Sequence, residues 1–213
     1  MLDISTLVLQ AGSHSTREAG LCAMEAVAWL ANEPHSDAPA CTCPVIASFV
    51  RAINDTMPSE ERQKLVAYLP RLIGTQVDTA AKVKRAELIA LATIRTIVPI
   101  ALRAIGLNDH ADKLACFDGT LSAASAASDA ASRAASDAAS DASFAARYAA
   151  SAAHSASYAA DDAASYTASL AASAASDAAS FAASAAARSA AASDASAVWA
   201  AVFLILDAAL DVK

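Results

Sequence analysis

The chain has 213 residues, enough for one or two domains, and it carries a net charge of −7. Nucleic acids and anionic membrane surfaces are bound by clustered Lys and Arg, so this charge argues against both kinds of partner. There is no run of about 18 large apolar residues and no secretory signal pattern, and we expect a cytoplasmic protein whose four cysteines are free thiols.

Helical periodicity and helix-start signals predict a bundle of about five helices before Gly119. Ser15 and Glu18 match a capping box, which predicts a first helix from Ser15 to Asn32. Ser59 and Asn108 are predicted caps of later helices, and Pro44 is placed as a first helical residue. The later helices are predicted at 44–57, 59–73, 79–105 and 108–114. Pro70 and Pro99 are expected to kink or split two of them.

Residues 120–213 contain neither Gly nor Pro and are mostly Ala and Ser, both compatible with helix. Polar residues recur every three or four positions, with an average spacing of about 3.7 residues, which is closer to an 11-residue helical repeat than to a heptad. One long helix and an antiparallel hairpin both fit this pattern. The closing run at 198–210 is apolar on most sides and is expected to be buried. The sequence therefore predicts an all-α fold with a helical bundle domain at 1–118 and an Ala/Ser-rich helix or hairpin at 119–213.

The partner prediction follows from the size of the alanine side chain. A methyl group buries little apolar area, so an Ala-rich helix needs a long and close contact with another helix. We therefore expect coiled-coil-like packing between Ala-rich faces, as a homo-oligomer or with a separate protein partner. No nucleic acid, membrane or cofactor is expected.

The loop at 34–43 is the one place in the sequence where side chains suited to catalysis or metal binding cluster. Cys43 precedes a predicted helix, where a thiol pKa falls, and His35 with Asp37 could act as its base and the orienting acid. A metal site would use Cys41, Cys43 and His35, with His14 or Asp37 as the fourth ligand, a ligand set that zinc accepts. The favoured interpretation is a structural loop with buried cysteines, so no catalytic or metal-binding residue is assigned.

Other polar residues are interpreted as surface positions. Glu25 lies among apolar residues and could be a buried acid, but a solvated helix face is favoured. The basic run Lys82, Lys84 and Arg85 is interpreted as a solvated face, with anion contact as the alternative. His110 and His154 are assigned to helix surfaces. The chain has no Gly-rich phosphate loop and no hydrolase or zinc-protease motif.

Two resemblances accompany these patterns. Residues 22–75, CAMEAVAWLANEPHSDAPACTCPVIASFVRAINDTMPSEERQKLVAYLPRLIGT, resemble a domain of uncharacterised actinobacterial and bacteriophage proteins that often continue into an Ala-rich tract. That resemblance implies a bacterial or phage origin. The family has no known activity that could be carried over to this chain. Residues 122–197 resemble the Ala-rich helical antifreeze proteins, which place Thr and Ala on the repeating row. Here the row contains charged residues, and it reads Asp129, Ser140, Ser151, Asp162, Ser173, Ser184.

The predicted function is that of a non-enzymatic helical interaction or scaffold protein that self-associates, an accessory protein of a phage or bacterium. The first alternative is a small thiol- or metal-dependent enzyme that uses the His35–Cys43 loop. The second alternative is binding of ice or another crystal surface by the Ala-rich helix.

Overall fold

The computed structural model of this protein describes residues 4–104, 106–119, 126, 127, 130, 131 and 193–213. Within those ranges every regular element is helical and none is a strand, so the predicted all-α class is confirmed. Apart from four positions, the part of the predicted Ala/Ser-rich helix or hairpin at 120–192 lies outside the described residues, and so does His154.

Eight α-helices are described, together with a short 3₁₀ helix at the start, a 3₁₀ turn and a π turn. They run in chain order as the 3₁₀ helix (Ile4–Thr6), α1 (Ala23–Leu30), α2 (Pro44–Thr56), α3 (Ser59–Gln63), the 3₁₀ turn (Lys64–Tyr68), α4 (Leu69–Leu72), α5 (Thr79–Ala92), the π turn (Thr93–Ile97), α6 (Val98–Ala104), α7 (Asn108–Ala115) and α8 (Ser193–Asp211).

A single hydrophobic core joins these helices. α1 packs against α2 and α4, α6 packs against α7, and α8 lies across α5, α6 and α2. Among the described residues Phe49 is the largest fully buried side chain, and Met24, Ile46 and Leu65 belong to the same core. Ala131 belongs to this core and is 1% exposed. The described residues on both sides of the Ala-rich tract therefore pack in one core.

The segment at 7–22 forms neither helix nor strand, and side chains of distant helices hold it in place. Leu9 exchanges two hydrogen bonds of 2.9 Å with the side chain of Gln63 in α3. Asn54 in α2 donates to the carbonyl oxygen of Gln10 at 2.9 Å. Because backbone groups that lose water need new partners, these side chains replace the bonds that a helix or sheet would supply.

The predicted start of the first helix is wrong. α1 begins at Ala23, and the chain around Ser15 forms only bends and turns. The capping box is made by Cys22 and Glu25: the Glu25 amide donates to Cys22 Sγ at 3.4 Å, and the Cys22 amide donates to Glu25 Oε2 at 2.8 Å. Cysteine is not among the preferred cap residues, so the sequence pattern favoured the nearer serine.

The predicted effects of proline agree with the described helices. Pro44 is the first residue of α2, and Pro70 lies where the predicted third helix is divided into α3, the 3₁₀ turn and α4. The predicted fourth helix is interrupted by the π turn, which ends just before Pro99 in α6. Ile73 follows the end of α4 and is 36% exposed, whereas the helical pattern placed it on the inner face.

Two predicted cap residues are instead the first residues of their helices. Pro58 and Leu107 occupy the cap positions of α3 and α7, and neither contributes a side-chain hydrogen bond. Ser59 and Asn108 follow them. α3 and α7 therefore each begin one residue earlier than the predicted caps imply.

The interpretation of the basic run as a solvated face is wrong for Arg85. Lys84 is exposed, but Arg85 is only 3% exposed. Its guanidinium donates to the carbonyl oxygen of Thr75 at 2.6 Å and to that of Val212 at 2.7 and 3.2 Å. Three distant parts of the chain therefore meet at this side chain: α5, the loop after α4 and the end of α8.

α8 buries five of the eight large apolar residues that were expected to be buried, leaves Phe203 and Leu210 half-buried, and exposes three of its alanines. The buried residues are Val198, Trp199, Val202, Ile205, Leu206 and Ala209. Leu204 is 68% exposed, so the expectation of burial on most sides fails at that position. Of the helices in the described ranges, none combines the length and apolar character needed to cross a membrane.

Candidate functional site

The loop between α1 and α2 (residues 31–43) has a fixed shape because nearby side chains bind its backbone. The Glu33 carboxylate accepts hydrogen bonds from the amides of Ala40 at 2.7 Å and Cys41 at 2.9 Å. Gln76 donates to the carbonyl oxygens of Ala40 at 2.9 Å and Thr42 at 2.8 Å. This arrangement holds the predicted candidate residues at defined places.

The loop does not bring together Cys43, His35 and Asp37, the candidate residues of the thiol-enzyme alternative. Cys43 is fully buried at the start of α2, and its amide donates to Thr75 Oγ1 at 3.0 Å. His35 points elsewhere, since its Nε2 donates to the carbonyl oxygen of His14 at 2.8 Å. The side chain of Asp37 forms no hydrogen bond with His35.

The predicted metal ligands are also dispersed. Cys41 is half-buried with Sγ 3.8 Å from Thr42 Oγ1, and burial raises the pKa of the Cys41 thiol. His14 and His35 both face Glu25 rather than the cysteines. Across the part of the chain that the structure describes, no group of three or more His, Cys, Asp or Glu side chains is placed to hold a metal ion.

Glu25 lies at the centre of a buried polar cluster with His14, Cys22 and His35. Its side chain is 2% exposed, so the favoured interpretation of a solvated face is wrong for this residue. Glu25 Oε1 accepts from the His14 amide at 2.6 Å, and Oε2 accepts from the His14 ring Nδ1 at 2.9 Å and from the Cys22 amide at 2.8 Å. His35 Nε2 lies 3.8 Å from Oε1. One carboxylate therefore joins the 7–22 segment to the start of α1.

The ionisation of this cluster follows from its hydrogen bonds. Burial raises the pKa of the Glu25 carboxyl, but the hydrogen bonds from the His14 and Cys22 amides and the His14 ring together bring that pKa below its ordinary value. Burial raises the pKa of the Cys22 thiol to about 12. Glu25 is therefore ionised at neutral pH and Cys22 is a neutral thiol, which is the wrong protonation state for a nucleophile.

Gly20 allows the cluster to close. Its backbone φ is +141°, a value that residues other than glycine rarely adopt. A Cβ atom there would lie 2.7 Å from His14 Cδ2. A side chain at this position would therefore displace the His14 ring from Glu25.

A polar cavity of about 340 Å³ lies between α2, the α1–α2 loop and the 7–22 segment, and we call it the α2 cavity. Its lining includes Ser13, Cys22, Asp37, Ser48, Arg51 and Asp55. Arg51 donates from Nη1 to the carbonyl oxygen of Asp37 at 2.9 Å, which orients its guanidinium toward the loop. Asp55 Oδ1 accepts from the Gly12 amide at 2.7 Å.

Three residues that line the α2 cavity were not among the candidates predicted from the sequence. Ser48, Arg51 and Asp55 are spaced by three and four residues, so they share one face of α2. That polar face is visible in the sequence, but only the apolar stripe of the same helix was interpreted. The pairing of this face with Asp37 depends on the course of the loop, which no local pattern specifies.

Alkylation of the cysteines tests whether the loop has thiol chemistry. Cys116 is exposed, whereas Cys22 and Cys43 are buried. With iodoacetamide at neutral pH, peptide mapping by mass spectrometry is expected to find Cys116 modified first and Cys43 modified only after unfolding. A Cys116→Ser variant gives the matched control, since its remaining thiols should react slowly. Rapid modification of Cys43 in the folded protein would contradict this account and support the thiol enzyme.

Comparison of the chain with protein-family models, with curated proteins and with solved structures found no match. The proposals below therefore rest on the residues and contacts described above.

Proposed function

We propose that this chain is a non-enzymatic helical interaction protein that self-associates in the cytoplasm, as an accessory protein of a bacterium or a phage. The observation that carries the proposal is the outer surface of α8. Four apolar residues, Ala197, Ala200, Leu204 and Ala208, are exposed there. Their spacing of three and four residues places them on one side of the helix, and we call this the α8 stripe.

The side chains that could take part in catalysis are placed for a structural role instead. The Glu25 carboxylate already binds three donors, and both thiols in this region, Cys22 and Cys43, are buried. A general base needs access to the proton that it removes, and a nucleophile needs access to its substrate. These side chains instead fix the fold of the 7–22 segment and the start of α2.

The α8 stripe has the shape that close helix packing requires. Three of its four side chains are methyl groups, so another helix can approach more closely than the usual 8–10 Å between axes. Leu204, 68% exposed, supplies the one large side chain near the centre. Asp207 lies beside the stripe and faces Tyr68 and Arg71, with which it forms hydrogen bonds of 3.1 and 2.5 Å. The exposed Asp211 ends α8 on the side of the stripe, one turn after Ala208.

The proposed occupant of the α8 stripe is a second copy of the chain. A stable interface buries about 800 Å² on each partner, more than four small side chains can supply. The Ala-rich tract directly precedes α8 and consists mostly of methyl-bearing residues. We therefore propose that the interface begins at the stripe and continues along that tract.

Sedimentation equilibrium of the full chain at micromolar concentrations tests the proposal. The unmodified protein is expected to be a dimer or larger. Leu204→Lys should weaken self-association at least about tenfold, since it removes about 1.5–3 kcal/mol of apolar burial and introduces a charge.

Val8→Lys is the matched control. Val8 is 66% exposed and lies in the 7–22 segment, away from α8. This variant should keep the mass of the unmodified protein, and circular dichroism should show the same helix content in all three proteins. A monomeric unmodified protein, or equal losses in the two variants, would contradict the proposal.

A further inference from the structure

We infer that the α2 cavity is a binding site for a small zwitterion, a molecule that carries one carboxylate and one ammonium group as a free amino acid does. The inference is independent of the proposed self-association, since α8 does not line this cavity.

The first observation is a serine hydroxyl that lines the cavity and has no hydrogen-bond partner among the described residues. Ser48 lies in the middle of α2, lines the cavity and is 8% exposed. It forms no hydrogen bond with any described residue, not even with the carbonyl oxygen one turn earlier that serines in helices often use. This hydroxyl is therefore available to a molecule inside the cavity.

The second observation is that charged groups of both signs line the cavity. Arg51, Asp37 and Asp55 all border the same space. Within the described residues Arg51 forms no ion pair, and its only hydrogen bond uses Nη1. The Arg51 guanidinium therefore keeps N–H donors that no described residue binds, and Asp55 keeps its Oδ2 free, since Gly12 and Asn54 both donate to Oδ1.

The combination of charges selects the class of ligand. A bare anion such as phosphate would meet Arg51 but would be repelled by Asp37 and Asp55. A bare cation would be attracted by Asp37 and Asp55 but repelled by Arg51. A molecule with both charges satisfies all three side chains: its carboxylate accepts from the Arg51 guanidinium in the paired geometry that arginine favours, and its ammonium donates to the aspartates.

The size and the neutral part of the lining agree with this class. A volume of about 340 Å³ holds a molecule of amino-acid size, near the lower end of known ligand pockets. Cys22 and Ala52 also line the cavity, and the thiol of Cys22 is neutral because burial raises its pKa to about 12. The lining therefore offers a small uncharged surface beside the charged groups.

A thermal-shift screen of the full chain tests the inference. The probes are the twenty proteinogenic L-amino acids, each alone at about 10 mM. At about tenfold above its Kd, a ligand of the folded state should raise the Tm by about 3 °C or more. Inorganic phosphate and Mg²⁺ are the single-charge comparisons and should give no shift. The N-acetyl and amide derivatives of the best amino acid, which each lack one charge, should also give none.

Calorimetric titration of variants with the best amino acid identifies the site. Arg51→Met should weaken binding at least about tenfold, since it removes a charge-assisted bond. Ser48→Ala should weaken it severalfold with little effect on folding, because alanine fits the helix and the buried space. Lys64→Met is the matched control: this exposed lysine begins the 3₁₀ turn after α3, outside the cavity lining, and its substitution should leave the Kd unchanged.

Three results would overturn the inference. The first is the failure of all twenty amino acids to raise the Tm. The second is stabilisation by phosphate or Mg²⁺ that equals that of the best amino acid. The third is binding that Ser48→Ala and Arg51→Met leave unchanged in variants that remain folded.

Discussion

Glu25→Ala is expected to lower the free energy of unfolding by about 3–5 kcal/mol at neutral pH, because it removes the one carboxylate that binds three buried donors. The amides of His14 and Cys22 and the ring of His14 would lose their acceptor. Each buried donor left without a partner costs about 1–3 kcal/mol. Urea denaturation followed by circular dichroism measures the change.

The contribution of Glu25 should also depend on pH. Its carboxyl pKa is lower in the folded protein than the ordinary value of 4.5. The unfolded chain therefore binds the proton first as the pH falls, and stability declines with it. The contribution is fully present above the ordinary carboxyl pKa and is lost as the pH falls through the lower folded value. The stability difference between the unmodified protein and Glu25→Gln should narrow over that range.

Glu61→Gln is the matched control for this experiment. Glu61 pairs with Lys64 at 2.8 Å, and the lysine is 59% exposed. A surface pair of this kind contributes about 0–1 kcal/mol, so the control should change little. If Glu25→Ala were as mild as Glu61→Gln, the claim that Glu25 holds the 7–22 segment in place would be wrong.

Arg85→Ala is expected to lower the free energy of unfolding by about 3 kcal/mol. The guanidinium of this 3% exposed side chain supplies three hydrogen bonds, to the carbonyl oxygens of Thr75 and Val212. Hydrogen bonds from charged groups contribute about 1.5–3 kcal/mol, and the loss of the long side chain leaves a cavity as well. Val212 follows the end of α8, so the substitution should loosen that helix in particular.

Tryptophan fluorescence reports the position of α8 directly. Trp199 in α8 is 4% exposed, and a Trp29→Phe background makes it the only tryptophan. In that background Arg85→Ala should shift the Trp199 emission to longer wavelength, and Lys84→Ala, which alters an exposed neighbour, should not. Unchanged emission together with unchanged stability would show that Arg85 does not hold α8 in place.

The sequence predicted those parts of the fold that depend on local patterns. The apolar stripe of α2 identified five buried residues correctly: Val45, Ile46, Phe49, Val50 and Ile53. Proline positions gave the start of α2 and the division of the third predicted helix. These features need only the helical period and the geometry of proline.

The predictions failed where contacts between distant residues decide the structure. Ser15 has the right spacing for a cap, yet the chain around it forms turns, and Gln63 and Asn54 bind the same segment from other helices. Arg85 lies in a basic run that suggested solvent, but the carbonyl oxygen of Val212 lies within its reach. A single sequence does not show which far residue will supply a partner.

The candidate site was only partly predictable for the same reason. The sequence pointed to the α1–α2 loop as a cluster of candidate residues, and one of them, Asp37, borders the α2 cavity. The expected relation between His35 and Cys43 is absent, because His35 binds the backbone of His14 and Cys43 is buried in the core. Ser48, Arg51 and Asp55 gain their significance only when the loop is placed beside α2.

The mass of the full chain in solution is the most direct test of the central claim that this is a self-associating interaction protein. Light scattering coupled to size exclusion, at micromolar concentrations and moderate salt, measures it without labels. The account predicts a particle of at least twice the 21.5 kDa chain mass. A particle of 21.5 kDa at every concentration would contradict it.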